Sequence, residues 1–454
     1  MLEYLKEKKQ NTDSFSYHEM NEIYTWLDSK LGNTKVSIKH VSLDDCKPWY
    51  YDEDEGCIRN TNGSFFKIFG ASYFENGKLV ASQPVIDQNE IGFLGIICCK
   101  INNVWHYLMQ AKIEPGNVNV VQLSPTLQAT KSNFTRQHGG KEPQFLQYFI
   151  NMNQDDIIVD QIQSEQGSRF LKKRNRNVII KVDEVLEETN THMWMTLEQI
   201  KELMHHDNLV NMDTRTVLSC IPYVLMGQDG DVPFKDKDYF YKTAWNMNRR
   251  TIASLYNEMN NYKMLADRKT QIVPLETLDN WEMKGKSFSC KTEYPFNVIF
   301  CDIEIEGREV SHWRQPLFAA TGKGLFGLIC CDDEGILKFL VKPRAEIGCF
   351  DGIEIGPTIQ REPFSSHEID EIELLFKRKL ENNDNVIVDT ILSEEGGRFY
   401  QEENRNVIIS VAKDELKDLP AGYILSDYGT LNILTQVNNC LNIQLRNLLS
   451  LLEI

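Results

Sequence analysis

Two charged side chains two residues apart, Lys112 and Glu114, are the first candidates for chemistry in this sequence. They lie in LMQAKIEPG, an apolar stretch that predicts a strand ending at the Pro-Gly pair. Because residues i and i+2 of a strand share one face, Gln110, Lys112 and Glu114 are predicted to point the same way. Thr126 and Gln128 form a similar pair if their segment is extended. Such a polar row suits a sugar, whose hydroxyls need directed partners; the alternative is a solvated strand face with a salt bridge.

A second candidate is the basic run SEQGSRFLKKRNRN at 164–177. It stands out because the chain has 49 basic and 66 acidic residues and a formal net charge of −17. Cations beside a glycine-containing turn can clamp a diphosphate; the alternative is an exposed basic turn. The five cations of the run are Arg169, Lys172, Lys173, Arg174 and Arg176.

The chain also repeats itself at a domain-sized distance. GFLGIICCK at 92–100 returns 232 residues later as GLFGLICCD at 324–332. QSEQGSRF at 163–170 returns 229 residues later as LSEEGGRF at 392–399. Ordered matches at nearly one offset predict a tandem duplication of a whole module rather than a short solenoid repeat. The predicted divisions are a first half at 1–225, a connecting segment at 226–247 and a second half at 248–454.

Helices and short strands alternate in each half. Two strands are predicted around a polar turn at 100–103. Thr196 and Gln199 predict a capping box at the start of a helix, and Asp213 is the expected N-cap of the next helix. The predicted fold class is therefore α+β, with mixed sheets and flanking helices in each half.

Comparison of the halves indicates which one holds a substrate. Glu402 and Glu403 stand where the first half has Lys173 and Arg174. A diphosphate should therefore favour the first half, which is predicted to hold the principal substrate site, with a structural or weakened site in the second half. Further first-half cations without obvious counterparts are Lys131, Arg136 and Lys141.

Composition and missing motifs exclude several classes of function. The acidic balance argues against a nucleic-acid partner. No apolar run is long enough to span a membrane, and the first residues lack a signal-peptide core, so a cytoplasmic protein with reduced cysteines is expected. The nine histidines form no HxxxH pattern, and no dinucleotide-binding or Walker loop is present, so neither a metal nor a cofactor is expected.

Long and unusual strings resemble one known family. LMQAKIEPGNVNVVQLSPTLQATKSNFT, QSEQGSRFLKKRNRNVI and MTLEQIKELMHHDNLVNMDTRTVLSC are similar to the NDP-hexose 2,3-dehydratases of deoxysugar biosynthesis, and the resemblance covers nearly the whole chain. It implies a Nudix-like fold for each half, a homodimer and a dTDP-4-keto-6-deoxyglucose-type substrate. The Nudix metal-binding box is absent, and KPRAEIG in the second half departs from the family's Glu-Pro-Gly pattern.

The implied reaction needs a base near C3, a donor for the C4 oxygen and an acid near the C2 hydroxyl. Glu114 or Glu165 is the expected base, and Lys112 would polarise the ketone or protonate the leaving hydroxyl. The expected substrate ligands are Arg169, Lys172 and Arg174 for the diphosphate and Gln128 and Asn117 for the sugar. The base-stacking aromatic could be Trp49, Tyr148 or Phe149. The alternatives are a non-catalytic nucleotide-sugar binding protein and a Nudix-type hydrolase.

Overall fold

The computed structural model of the chain describes residues 15–63, 65–130, 143–226, 238–306 and 310–452. Lys131, Arg136 and Lys141 lie outside these ranges. The helices are α1 (Met20–Asn33), α2 (Leu146–Ile150), α3 (Leu197–Met204), α4 (Met212–Ser219), α5 (Tyr223–Met226), α6 (Asp238–Trp245), α7 (Arg249–Leu265), α8 (Glu371–Glu381), α9 (Tyr428–Thr435) and α10 (Ile443–Ser450). No helix in the described ranges is long and apolar enough to cross a membrane.

Short strands make up most of the remaining regular structure. Those of the first half are β1 (Val36–Val41), β2 (Trp49–Asp52), β3 (Cys57–Asn60), β4 (Lys67–Glu75), β5 (Lys78–Asp87), β6 (Gly92–Ile101), β7 (Val104–Ile113), β8 (Val121–Ser124), β9 (Leu127–Ala129), β10 (Ile157–Ser164), β11 (Phe170–Leu171), β12 (Arg174–Val182) and β13 (His192–Thr196).

The second half contains a matching series in the same order. Its strands are β14 (Arg268–Val273), β15 (Trp281–Lys284), β16 (Ser287–Cys290), β17 (Phe296–Ile305), β18 (His312–Ala320), β19 (Leu325–Asp333), β20 (Ile336–Arg344), β21 (Glu354–Gly356), β22 (Ile359–Arg361), β23 (Val386–Ser393), β24 (Phe399–Tyr400), β25 (Glu403–Val411) and β26 (Ile424–Asp427).

Each half has a seven-stranded mixed sheet that carries candidate residues. In the first half the strand order is β10-β12-β6-β7-β13, with β8 beside β7 and β9 beside β6. In the second half the order β23-β25-β19-β20 is the same, with β26 and β21 beside β20 and β22 beside β19. Strand β6 is parallel to β12 and antiparallel to β7. It is buried along nearly its whole length, and burial on both faces explains its unbroken apolar sequence.

Two six-stranded sheets join the halves by exchanging one strand each. Strand β1 of the first half pairs with β17 of the second, and β14 of the second half pairs with β4 of the first. The largest buried apolar cluster likewise contains residues of both halves, including Leu94, Leu218, Leu328 and Leu449. The halves therefore share their largest core, and each half also has a buried cluster made of its own residues alone.

Most of the predicted elements are present. Strands β6 and β7 flank the predicted turn, where Asn102 and Asn103 both have positive φ. Thr196 and Gln199 form the predicted capping box of α3. The prediction for α4 was wrong by two residues, because Asn211 is the N-cap and its side chain accepts from the Thr214 amide at 2.8 Å. Asp213 is therefore free of the capping role and lies within the first turn of the helix.

Candidate active site

Lys112 and Glu114 form an ion pair at the end of β7. Lys112 Nζ lies 3.0 Å from Glu114 Oε1, and the two side chains are only 16% and 11% exposed. Their same-face prediction is consistent with this pairing. The pair is sheltered, which differs from the alternative of a solvated strand face.

The turn after Glu114 packs directly against the second half. Gly116 donates its backbone N–H to Gly396 O at 2.7 Å, and the Gln401 amide donates to Gly116 O at 2.8 Å. A Cβ atom on Gly116 would lie 1.6 Å from Phe399 O, so only glycine allows this approach. The contact brings the second half's loop, which carries Glu395 and Arg398, to the Lys112–Glu114 pair.

Seven ionisable side chains meet at this junction, and we call them the lysine cluster. Electrostatic coupling connects its members. They are Lys112, Glu114, Glu165, Lys173 and Asp213 of the first half and Glu395 and Arg398 of the second half.

Burial and mutual repulsion change the proton affinities of the cluster. Burial, followed by the charges of Asp213 and Glu395, holds the pKa of Glu165 well above its usual value. Burial and the charge of Glu395 raise the pKa of Asp213 to about 7. Burial also lowers the pKa of Lys173 to about 8. Groups that exchange protons near neutral pH suit general acid–base catalysis.

Hydrogen bonds fix several members of the lysine cluster in place. Asn175 Nδ2 donates to Glu165 Oε2 at 2.5 Å, while the buried Glu165 Oε1 has no partner among the described residues. Lys173 Nζ donates to Glu90 O at 2.7 Å. The Arg398 guanidinium lies 4.4 Å above the Phe66 ring. The cluster is thus held rigidly, yet it retains unused hydrogen-bonding capacity.

The equivalent residues of the second half form a different group, which we call the arginine cluster. Arg169 Nη2 binds Glu362 Oε2 at 2.9 Å and Glu402 Oε1 at 3.1 Å, and its guanidinium lies 4.5 Å from the Phe296 ring centroid. The only cation of the basic run in this group is therefore already paired. Its members are Arg169, Arg344, Glu346, Glu362, Glu394 and Glu402.

The structure does not gather the predicted diphosphate ligands into one clamp. Arg169 lies in the arginine cluster, and Arg176 pairs with Asp160 through two hydrogen bonds of 2.7 and 2.6 Å on its own sheet. The Arg174 guanidinium lies 3.8 Å from the Phe350 ring centroid. Lys172 is exposed. The basic run fails as a unit because it passes from β11 in one sheet, through Lys172 with its positive φ, to β12 in another sheet, so its cations are carried to different places.

A cavity of about 520 Å³ opens beside the arginine cluster, and Lys172 and Glu346 are part of its lining. Two other cations of its lining take part in local contacts: Lys263 pairs with Asp351, and Arg268 pairs with Glu75. This cavity is distinct from the junction that holds Lys112.

The remaining predicted ligands divide between the cluster and the sheet. Asn117 is buried beside Gly396, and its Nδ2 donates to Val120 O at 2.9 Å. Gln110 and Gln128 are half-buried. Thr126 needs a correction, because its hydroxyl donates to Leu108 O and accepts from the Ile97 amide. Both functions of that hydroxyl are used within the sheet, so it has no hydrogen left to donate to a sugar.

Sequence reasoning missed Asp213, Glu395 and Arg398 as members of the site. The two second-half residues were missed because each half was treated as a separate unit. The signal that could have found them is the SEEGGRF loop, which keeps its glycine and arginine although its neighbours lose their positive charge. Of the possible stacking aromatics, Trp49 and Phe149 are each 2% exposed within cores, while Tyr148 is half-buried.

No set of three or more His, Cys, Asp or Glu side chains in the described ranges is arranged to hold a metal ion. All eleven cysteines are free thiols, as predicted, and ten of them are buried.

Comparison with known proteins gives consistent matches. The NDP-hexose 2,3-dehydratase family matches residues 20–221 and 252–452. A dTDP-4-dehydro-6-deoxy-alpha-D-glucopyranose 2,3-dehydratase of Saccharopolyspora spinosa is 35% identical over 95% of this chain and 91% of its own length. Enzymes with the same description are 33% identical in Streptomyces violaceoruber (97% of each chain) and 32% identical in Amycolatopsis orientalis (94% of this chain, 89% of that one). A solved ADP-compound hydrolase is 14% identical with a TM-score of 0.23, covering 35% of this chain and 85% of its own.

Proposed function

Because the chain belongs to the NDP-hexose 2,3-dehydratase family, we propose that it removes water from C2 and C3 of a dTDP-4-keto-6-deoxyhexose. The product is a 3,4-diketo-2,6-dideoxy sugar nucleotide. The proposal for the substrate is supported by the printed descriptions of the three relatives, each of which acts on a dTDP-4-dehydro-6-deoxyglucose. The site that carries it is the sheltered Lys112–Glu114 ion pair of the lysine cluster.

The substrate's own ketone provides the electron sink. A base removes the proton from C3, and the electron pair moves onto the C4 oxygen as an enediolate. The enediolate then expels the C2 hydroxyl as water, and the resulting enol tautomerises to the diketone. The protein has to supply a base, a stabilising charge for the C4 oxygen and a proton for the leaving group.

Glu114 is the better candidate of the two glutamates for the base. Its carboxylate is paired with Lys112, whereas burial keeps the pKa of Glu165 well above its usual value and therefore favours the protonated acid. Lys112, at 3.0 Å from Glu114, would polarise the ketone. A base and a cation side by side suit proton removal from C3 with charge development at C4.

We propose that Lys173 and Arg398 bind the diphosphate, instead of all the cations of the basic run together. Lys173 is the cation of that run that belongs to the lysine cluster, and Arg398 reaches the same place from the second half. Arg169 is neutralised by two glutamates, and Arg176 is neutralised by Asp160. Asn117 and Gln128 keep their proposed roles in orienting the sugar.

The proposed organisation is a tandem duplication of a Nudix-like module, with the boundaries at 225 and 248, in a cytoplasmic homodimer. The matching order of thirteen strands in each half supports the duplication. The Nudix-like description, the dimer and the location rest on the family resemblance. The first half is proposed to provide most of the principal substrate site, completed by Glu395 and Arg398 of the second half.

The test is to incubate the purified chain with dTDP-4-keto-6-deoxyglucose and to trap the labile diketone with a reductase. Glu114→Gln and Lys112→Met should each lower turnover by about 100-fold or more while nucleotide binding is kept. Glu346→Gln is the matched control, because Glu346 occupies the equivalent position in the arginine cluster.

Three outcomes would contradict the proposal in different ways. Binding of the sugar nucleotide without its consumption would indicate the non-catalytic binding protein. Magnesium-dependent release of nucleoside monophosphate would indicate the hydrolase. Loss of turnover in Glu346→Gln with normal turnover in Glu114→Gln would move the site to the arginine cluster.

A further inference from the structure

Asp213 is a buried carboxylate that does not cap its helix. It is 2% exposed, and the Thr214 amide at the start of the helix donates to Asn211 instead. The capping of α4 is done by Asn211. A nearly buried carboxylate that does not cap its helix is expected to serve another purpose, because burial opposes its ionisation.

The charges around Asp213 place it beside the Lys112–Glu114 pair. Glu395, Lys112, Glu114 and Arg215 act on it electrostatically, in that order of strength after burial. The charges that act most strongly on Glu165 are those of Asp213 and Glu395. The contacts of the helix turn that holds Asp213 agree with this position: Thr214 Oγ1 donates to Leu123 O on β8, the strand beside Lys112, and Arg215 donates to Ser393 O in the loop that carries Glu395.

The second half offers a natural comparison at the same position. Gln444 follows the N-cap Asn442 as Asp213 follows Asn211, and neither polar atom of the buried Gln444 side chain has a partner among the described residues. Arg215 and Arg446 occupy equivalent places two residues later and are both buried. Of these two equivalent residues, only Asp213 carries a group that can act as an acid.

We propose that Asp213 is the catalytic acid that protonates the C2 hydroxyl as it leaves. The inference rests on the proposed function and assigns one further residue to it. Glu114 takes the proton from C3, the electron pair forms the C4 enediolate, and the C2–O bond breaks as Asp213 transfers its proton to the departing oxygen. Water leaves, Asp213 is left as a carboxylate and Glu114 as an acid, and a proton passes through solvent from Glu114 back to Asp213 before the next cycle.

Asp213→Asn tests the assignment, because the amide keeps the shape of the side chain and cannot act as an acid. Turnover of the 4-keto sugar nucleotide should fall by about 100-fold or more, in the range that one acid contributes, with little change in KM. The matched control is Gln444→Asn, which should turn over normally.

A substrate analogue separates an acid from a merely structural residue. In the 2-deoxy-2-fluoro analogue of the 4-keto sugar nucleotide, fluoride leaves without taking a proton from the protein. Asp213→Asn should therefore release fluoride, followed by fluorine NMR, at a rate within about threefold of the unsubstituted protein. It should also still exchange the C3 hydrogen for solvent deuterium, since Glu114 is intact, whereas Glu114→Gln should lose both reactions.

The outcomes distinguish this inference from the proposed function. If the unsubstituted protein does not consume the natural substrate, the proposed function fails. If it does, the assignment of Asp213 is overturned by normal turnover in Asp213→Asn, or by equal losses with the natural substrate and the fluoro analogue. Circular dichroism of Asp213→Asn that matches the unsubstituted protein shows that the comparison is made on folded material.

Discussion

Replacing Asp213 by asparagine should make the protein more stable at neutral pH, although the same change is expected to remove activity. The carboxylate is buried beside Glu395 and Glu114, and these charges and its burial oppose its ionisation. An amide of the same shape carries no charge that must be buried. A residue that destabilises its own fold is typical of a functional site.

The size and pH range of the effect follow from the pKa values. The pKa of Asp213 is about 7, against a usual value of 3.8, and each pH unit between them corresponds to about 1.4 kcal/mol. Because the folded protein holds this proton more tightly than the unfolded chain, the contribution favours folding below about pH 4 and is lost as the pH rises through about 7. The full difference is on the order of 4 kcal/mol above pH 7.

The assay is urea denaturation followed by tryptophan fluorescence at a series of pH values from about 4 to about 8, which covers the interval between the usual pKa and the raised one. The free energy of unfolding of Asp213→Asn minus that of the unsubstituted protein should grow with pH up to about 7 and then level off. Gln444→Asn is the control, and its difference from the unsubstituted protein should not depend on pH.

Two results would refute this reasoning. A constant difference across the pH range would mean that Asp213 does not titrate with a raised pKa. A variant that is less stable than the unsubstituted protein at pH 8 would mean that the carboxylate has a stabilising partner after all.

Three further substitutions test where the structure places the sequence-predicted ligands. Thr126→Val should lower the free energy of unfolding by about 1–3 kcal/mol, since it leaves the Ile97 amide unpaired, with KM unchanged; a tenfold higher KM would return Thr126 to the sugar site. Arg176→Gln should cost less than about 1 kcal/mol and leave KM as it is, like its counterpart Arg405→Gln, whereas a raised KM in the first variant alone would make Arg176 a phosphate ligand. Arg169→Met should cost about 3–5 kcal/mol because it strands two buried glutamates, and urea denaturation that shows no loss would contradict their pairing.

Local features of the fold could be predicted because they depend on neighbouring residues. The capping box of Thr196 and Gln199 needs only three residues of spacing. The β6–β7 hairpin follows from two apolar runs around Asn102 and Asn103, a residue type that accepts positive φ. The exchange of β1 and β14 could not be predicted, because the pairing of an edge strand with a distant sheet leaves no periodic signal in its own sequence.

The part of the candidate site that depends on neighbouring residues could also be predicted from the sequence. The pairing of Lys112 with Glu114 is a property of one strand and could be read from the spacing of two residues. The contribution of Glu395 and Arg398 depends on a turn of one half meeting a loop of the other, about 280 residues away along the chain, as in Gly116 N–H to Gly396 O. The basic run looked like a single clamp only because its cations are close in sequence, whereas β11 and β12, which the run connects, belong to different sheets.

The two clusters show how one arrangement can hold different chemistry. The loop of each half is fixed by an arginine from the helix of the other: Arg446 donates to Ser164 O at 2.6 Å, and Arg215 donates to Ser393 O at 2.7 Å. With this framework shared, a few substitutions decide what each junction can do. The second half has Glu402 where the first has Lys173. Together with Glu362, Glu402 binds Arg169, and the two carboxylates neutralise its charge. In the lysine cluster, Lys173 and Asp213 provide a cation and an acid that do not form an ion pair with each other. This junction can therefore bind a substrate and exchange a proton with it.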